Sequence, residues 1–143
     1  MQIEERIKIV EVMALEMDSP VVLDEGRPLR EVIQQLSDSN SGCALLTRDD
    51  RLTGIFTERD LVVRVLGAAN TLDQAVAEWM TCNPDRVSQG DTIRKAVRLM
   101  WRGGFRSVPV VDKEDRVVGC VRHKDIVKYL AEHMITPQTS AKG

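Results

Sequence analysis

This sequence predicts an α+β fold made of two copies of one β-α-β-β-α unit, packed sheet to sheet around a shared core. Three observations carry the prediction. The first is an internal repeat: "GRPLREVIQQLSDSNSGCALLTRDDRLTGIFTERDLV" matches "GDTIRKAVRLMWRGGFRSVPVVDKEDRVVGCVRHKDIV". Gly26 meets Gly90 at a separation of 64 (90 − 26), and Gly54 meets Gly119 at 65 (119 − 54). The extra residue falls in the turn around Asp49 to Arg51, against Lys113 to Arg116, where a hairpin tolerates insertion. The second is apolar spacing. Leu29, Val32, Ile33 and Leu36 stand at i, i+3, i+4 and i+7, and Ile93, Ala96, Val97 and Met100 repeat the pattern, one face of a helix each time. The third is a pair of short β-rich runs in each copy, bounded by charged turns.

Taken in order, "IEERIKIVEVM" is amphipathic with alternating charge and predicts a partner-facing or self-packing helix rather than a membrane one. The first copy then runs through its helix, a hairpin of "CALLT" and "LTGIFT", and a second helix from Glu58 to about Ala68. The second copy pairs "SVPVVD" with "RVVGCVR" and ends in a helix from His123 to about Met134. "GG" at Gly103-Gly104 reads as a helix C-cap and turn, with no G-x-x-x-x-G-K to make a phosphate loop. The resulting division is a helical segment over 1–17, repeats over 18–78 and 79–134, and a disordered tail over 135–143. A unit of roughly 60 residues buries too little surface to stand alone, so two copies sharing a core is the expected solution.

The 143 residues are 43% hydrophobic and 29% charged, which suits a globular protein, and the net charge of −2 invites neither nucleic acid nor an anionic membrane. Aromatics at 3% are too few for a base-stacking surface. Apolar runs are too short to span a bilayer, and no signal peptide is evident. Cys43, Cys82 and Cys120 form no CxxC, so a reducing, cytoplasmic setting is expected.

These residues resemble a known family. The tandem unit closed by G-h-x-[ST]-x-x-D, with an S-x-P-V-V-D strand, looks like a pair of cystathionine-β-synthase-type (CBS) domains, a Bateman module. "GIFTERD" fits fully; "GCVRHKD" departs at the hydroxyl position, where Arg122 stands. "EWMTCNPDRV" resembles the family's passage into the second repeat. The resemblance covers about Met13 to Met134 and leaves no catalytic or transport segment over.

The Thr57-x-x-Asp60 pair has two readings. As N-cap and N3 residues, the two form a capping box that needs no ligand. Alternatively, a helix N-terminus attracts phosphate, and an acid one turn in is suited to vicinal ribose hydroxyls. Asp125 persists in the second copy without a hydroxyl cap before it, which favours the ligand reading. The resemblance implies that reading directly, with each site built from both repeats about a pseudo-two-fold axis. It implies that Thr57 and Asp60 face Met80, Thr81, Asp85, Phe105, Arg106 and Ser107. Arg106 offers a planar charged fork to phosphate, or is a solvated hairpin charge. A second site, expected to be weaker or empty, combines Arg122 and Asp125 with Val21, Gly42 and Cys43. Arg122 either supplies phosphate charge or fills the space that Thr leaves open in the first copy.

The chain offers no activated nucleophile or acid/base pair in a recognisable frame. Cys120-x-x-His123, with His133 further on, falls short of a zinc site, and Cys120 reads as a small core residue. Trp79 and Trp101 are expected as packing anchors or dimer contacts. The expected function is therefore a non-enzymatic regulatory homodimer that senses AMP, ADP, ATP, S-adenosylmethionine or NAD and signals to a partner protein. The alternative is an unliganded dimerisation scaffold in which Thr57 and Asp60 only cap a helix.

Overall fold

The structure is a computed structural model that describes residues 2–135. The tail expected from residue 136 onward lies outside the described residues. The chain divides into two compact units, one holding residues 19–84 and 112–117, the other the remaining described residues. Below they are the Thr57 unit and the Arg122 unit.

The first helix, α1 (Ile3–Ile9), belongs to the Arg122 unit, and a 3₁₀ turn at Val12–Ala14 follows it. The Thr57 unit then forms from β1 (Val21–Asp24), α2 (Leu29–Asp38), β2 (Cys43–Arg48) and β3 (Arg51–Thr57). Its last helix, α3 (Glu58–Asp60), widens into a π-helical turn over Leu61–Val65. A 3₁₀ turn at Val76–Glu78 leads to β4 (Thr81–Cys82). The strands lie in the order β1-β2-β3-β4. Strands β1 and β2 are parallel, because a helical crossover joins them, while β2 and β3 form the expected antiparallel hairpin with Cys43 opposite Thr57. The hairpin turns at Asp49 and Asp50, both with positive φ (53° and 65°), as a type I′ turn requires. Leu29, Val32 and Leu36 of α2 pack with Ala44, Leu46, Phe56, Val65 and Val76. Each of the Leu, Val and Phe side chains contributes roughly 1.5–3 kcal/mol on full burial.

The Arg122 unit repeats the plan with β5 (Val87–Ser88), α4 (Ile93–Gly103), β6 (Ser107–Val111), β7 (Val117–Arg122) and α5 (His123–Leu130). Its strand order is β5-β6-β7. Gly104 ends α4 at φ 70°, and its N–H donates to Met100 O, the expected C-cap. Ile93, Ala96 and Leu99 pack with Val108, Val110, Val121, Ile126 and Tyr129. Val12 and Leu15, which precede the first repeat in sequence, complete this core.

That last point shows a longer repeat than the sequence alignment reveals. Val12 N donates to Asp91 O (2.8 Å) and Ile93 N to Val10 O (2.9 Å). In the other unit, Val76 N donates to Arg27 O (2.8 Å) and Leu29 N to Gln74 O (2.9 Å). The four bonds correspond at a uniform separation of 64 (76 − 12, 91 − 27, 93 − 29, 74 − 10). Each lead-in segment ends in a methionine laid on a strand glycine. A Cβ on Gly54 would fall 2.2 Å from Met80 Sδ, and one on Gly119 would fall 3.1 Å from Met17 Cε. The glycine of each G-h-x-x-x-x-D motif therefore provides space for the side chain lying on it.

Candidate functional site

Strand β3 ends at Thr57, and α3 begins one residue later, so the pair sits where the backbone turns from extended to helical. Thr57 Oγ1 accepts from Asp60 N at 3.0 Å, and Asp60 Oδ2 accepts from Thr57 N at 2.9 Å, a complete capping box. Both side chains are half-buried. The other carboxylate oxygen, Asp60 Oδ1, stands 4.0 Å from Arg64 Nη1, a loose, solvated pairing. The same unit places Gly42 and Cys43 beside this cap: Gly42 O accepts from Glu58 N at 3.0 Å. Val21 opens β1 opposite Ala44; Met80 is buried on Gly54, and exposed Thr81 pairs with Ile55.

The Arg122 unit holds the remaining expected residues. Asp85 is exposed just before β5. Phe105 stacks its ring over Gly103, and Arg106 O accepts from His123 N at 3.0 Å. Ser107 opens β6. The loop Arg106-Ser107 thus lies beside the Arg122-His123 turn as Gly42-Cys43 lies beside Thr57-Glu58.

At the Arg122 turn, Asp125 Oδ2 accepts from Arg122 N at 2.9 Å. The acid half of the capping box works here without the hydroxyl half, since a guanidinium has no acceptor. This corrects the sequence reading that Asp125, lacking a hydroxyl cap before it, favours a ligand: Asp125 caps the backbone of α5. The guanidinium does not reach into solvent. Its Nη2 donates to the Asp18 carboxylate, its Nε stands 3.7 Å from Asp125 Oδ2, and Arg122 is only 8% exposed. Burial acts to lower the Arg122 pKa, but the hydrogen bond to Asp18 and the charges of Asp125 and Asp18 outweigh it and raise it. Asp18 in turn is held below the ordinary carboxylate range, first by the Arg122 hydrogen bond and then by its charge. A second ion pair, Lys128 Nζ to Glu16 Oε1 at 2.8 Å, joins the same lead-in segment to α5.

Asp18 was not singled out from the sequence. The signal was present: "MDSP" set under "MTCNP" places Met17 against Met80 and Asp18 against Thr81. Cys120 is buried in β7 while His123 is exposed on α5, and no cluster able to hold a metal occurs among the described residues. Trp79 packs against the core of its unit and donates to Gln74 Oε1 at 2.8 Å. Trp101, by contrast, is 87% exposed on α4 and anchors nothing in this chain. No helix among the described residues is long and apolar enough to cross a membrane.

Comparison with known proteins assigns the architecture. The CBS domain family model matches twice, over residues 10–67 and 76–132. A CBS domain-containing protein of Arabidopsis thaliana is 33% identical over 77% of this chain, and that match spans 20% of its own length. The chain spans between 20% and 51% of the length of the first curated relatives it matches. Among solved structures, a CBS domain protein from Pyrobaculum aerophilum complexed with AMP superposes with TM-score 0.74 at 28% identity, covering 86% of this chain and 99% of that one. The cytosolic domain of the Mg2+ channel MgtE, in complex with ATP, gives TM-score 0.71 at 29% identity over 87% of this chain and 50% of that one. The repeat, the two corresponding units and these matches lead to one conclusion: the chain is a tandem pair of CBS domains and belongs to the CBS family.

Proposed function

We propose that this chain is a regulatory sensor of an adenosine nucleotide, in which Asp60 holds the ribose and Thr57 shapes the turn that presents it. The observation that carries the reading is the AMP-bound relative from Pyrobaculum aerophilum, which matches this chain over nearly its whole length. The ATP complex of the channel domain supports the same ligand class. At Asp60 one carboxylate oxygen is committed to the backbone and the other, among the described residues, faces the distant Arg64, so hydrogen-bonding capacity remains for ribose hydroxyls. Met80, Thr81, Asp85, Phe105, Arg106 and Ser107 are the further residues assigned to this ligand, with Arg106 as the phosphate donor. No catalytic step is assigned. Occupancy shifts a conformational equilibrium and is read by a partner protein, a change limited by the ligand's differential affinity for the two states.

The proposal includes a cytoplasmic homodimer. Val62, Val63 and Leu66 follow one another on the exposed side of the helix after Asp60, and Val127 is exposed on α5. Apolar residues gathered in this way mark interfaces. Sedimentation at micromolar concentration should give twice the 16.1 kDa chain mass; a monomer alone would count against it.

The direct test is thermal unfolding with AMP, ADP, ATP, S-adenosylmethionine and NAD. A ligand at about 100 times its Kd adds roughly 2.7 kcal/mol of stability. A second reading, an unliganded scaffold, has one observation behind it: the Thr57–Asp60 box is complete without a ligand. If none of the five compounds shifts the melting curve, the scaffold reading replaces the sensor.

A further inference from the structure

We propose that the half-site around Asp125 is closed by the chain's own side chains, so that one chain takes up one nucleotide and not two, with Arg122 and Asp18 as the residues that set this stoichiometry. The inference rests on the adenosine reading for its ligand class. Its basis is a correlated difference between the two copies. Met17 on Gly119 and Met80 on Gly54 fix the correspondence of the lead-in segments, so Asp18 answers Thr81 as Arg122 answers Thr57. One copy carries two neutral hydroxyls at these positions. The other carries opposite charges, and the two charges meet in an ion pair. Asp18 alone would set a second carboxylate beside Asp125; Arg122 stands between the two and faces both.

Burial follows the same division. Thr57 and Asp60 are half-buried, whereas Arg122 is 8% and Asp125 6% exposed. The oxygen of Asp125 that accepts from the Arg122 backbone also faces its guanidinium, so Arg122 covers the acid that a ribose would need. The guanidinium is engaged by Asp18 through Nη2 and, with Arg122 8% exposed, is turned away from solvent. The exposed Lys128–Glu16 pair is a second contact between the lead-in segment and α5.

Equilibrium dialysis of the full chain with AMP and with ATP counts nucleotides per chain. Arg122→Thr combined with Asp18→Thr gives the Arg122 unit the hydroxyl set of the Thr57 copy. The expected result is one nucleotide more than wild type, lost again when Asp125→Ala is added. If the double variant fails to fold, the Asp60→Ala protein, which keeps the ion pair, decides: no nucleotide should remain. A wild type that binds two, with one lost in Asp125→Ala, overturns the proposal, as does a folded double variant that takes up no more than wild type. A wild type that binds none, with a double variant that binds one, upholds the closure while removing the sensor reading at Asp60.

Discussion

Thr57 and Arg122 occupy the same place in the two copies, at the last residue of a strand and the N-cap of a helix, and each is followed three residues later by an aspartate. The backbone result is the same: the aspartate accepts from the N-cap N–H at 2.9 Å in both. The chemical result differs. Threonine adds the hydroxyl half of the box and leaves Asp60 half-buried, with an oxygen to spare. Arginine cannot cap, lies down among carboxylates and buries Asp125. The comparison teaches that the cap explains why an acid stands at both positions, while the residue before it decides whether that acid is reachable.

The largest expected effect separates the two acids. Asp60→Ala should lower nucleotide affinity by about 10- to 150-fold, since a hydrogen bond to a charged group contributes roughly 1.5–3 kcal/mol, and so remove about half or more of the ligand-induced rise in Tm. Asp125→Ala should leave that rise intact. Equal losses in calorimetric titration would erase the distinction between the copies.

Next come the two glycines. Gly54→Ala should cost about 1–3 kcal/mol through overpacking against buried Met80, and Gly119→Ala less than about 1 kcal/mol, because half-buried Met17 can yield. Urea unfolding ranks them; a larger loss at Gly119 would refute the packing account.

Without ligand, Arg122→Ala should destabilise by about 1–3 kcal/mol, because the buried Asp125 carboxylate loses the guanidinium charge that faces it. Thr57→Ala should lose about 1 kcal/mol, a cap alone. The reverse order in chemical denaturation would mean that the guanidinium adds nothing to its unit.

The smallest effect is on pH dependence. Asp18 and Glu16 are both held below the ordinary carboxylate range, chiefly by hydrogen bonds to Arg122 and Lys128. A carboxylate with a depressed folded-state pKa contributes stability above its unfolded value, about 4, and loses it as pH falls through the folded value. Both carboxylates are exposed to solvent, so the loss is modest. Melting curves between neutral and acid pH should fall less steeply below about pH 4 for Asp18→Asn than for wild type; parallel curves would show that the pair carries no acid dependence.

Much of this protein was legible before any coordinates. The 64-residue repeat, the helical stripes from Leu29 and Ile93, the Cys43–Thr57 hairpin and the Thr57 capping box all follow from local rules: periodicity, turn chemistry and caps act over a few residues. The CBS resemblance was legible for the same reason, because its motifs are short and repeat twice in order.

What needed the tertiary structure lies far apart in sequence. Asp18 and Arg122 are separated by 104 residues, and no local rule brings them together. The helical segment before the first repeat completes the core of the second, through Val12 and Leu15, because chain order does not dictate which apolar face is left uncovered. Trp101 is exposed on α4, which removes the packing-anchor alternative of the sequence reading and leaves the dimer contact. Sequence by itself determined the elements, the duplication and the caps, whose energies are set by neighbours along the chain. Which acid is open and which is buried was decided only in the fold, because burial and ion pairing depend on what distant segments lay against it.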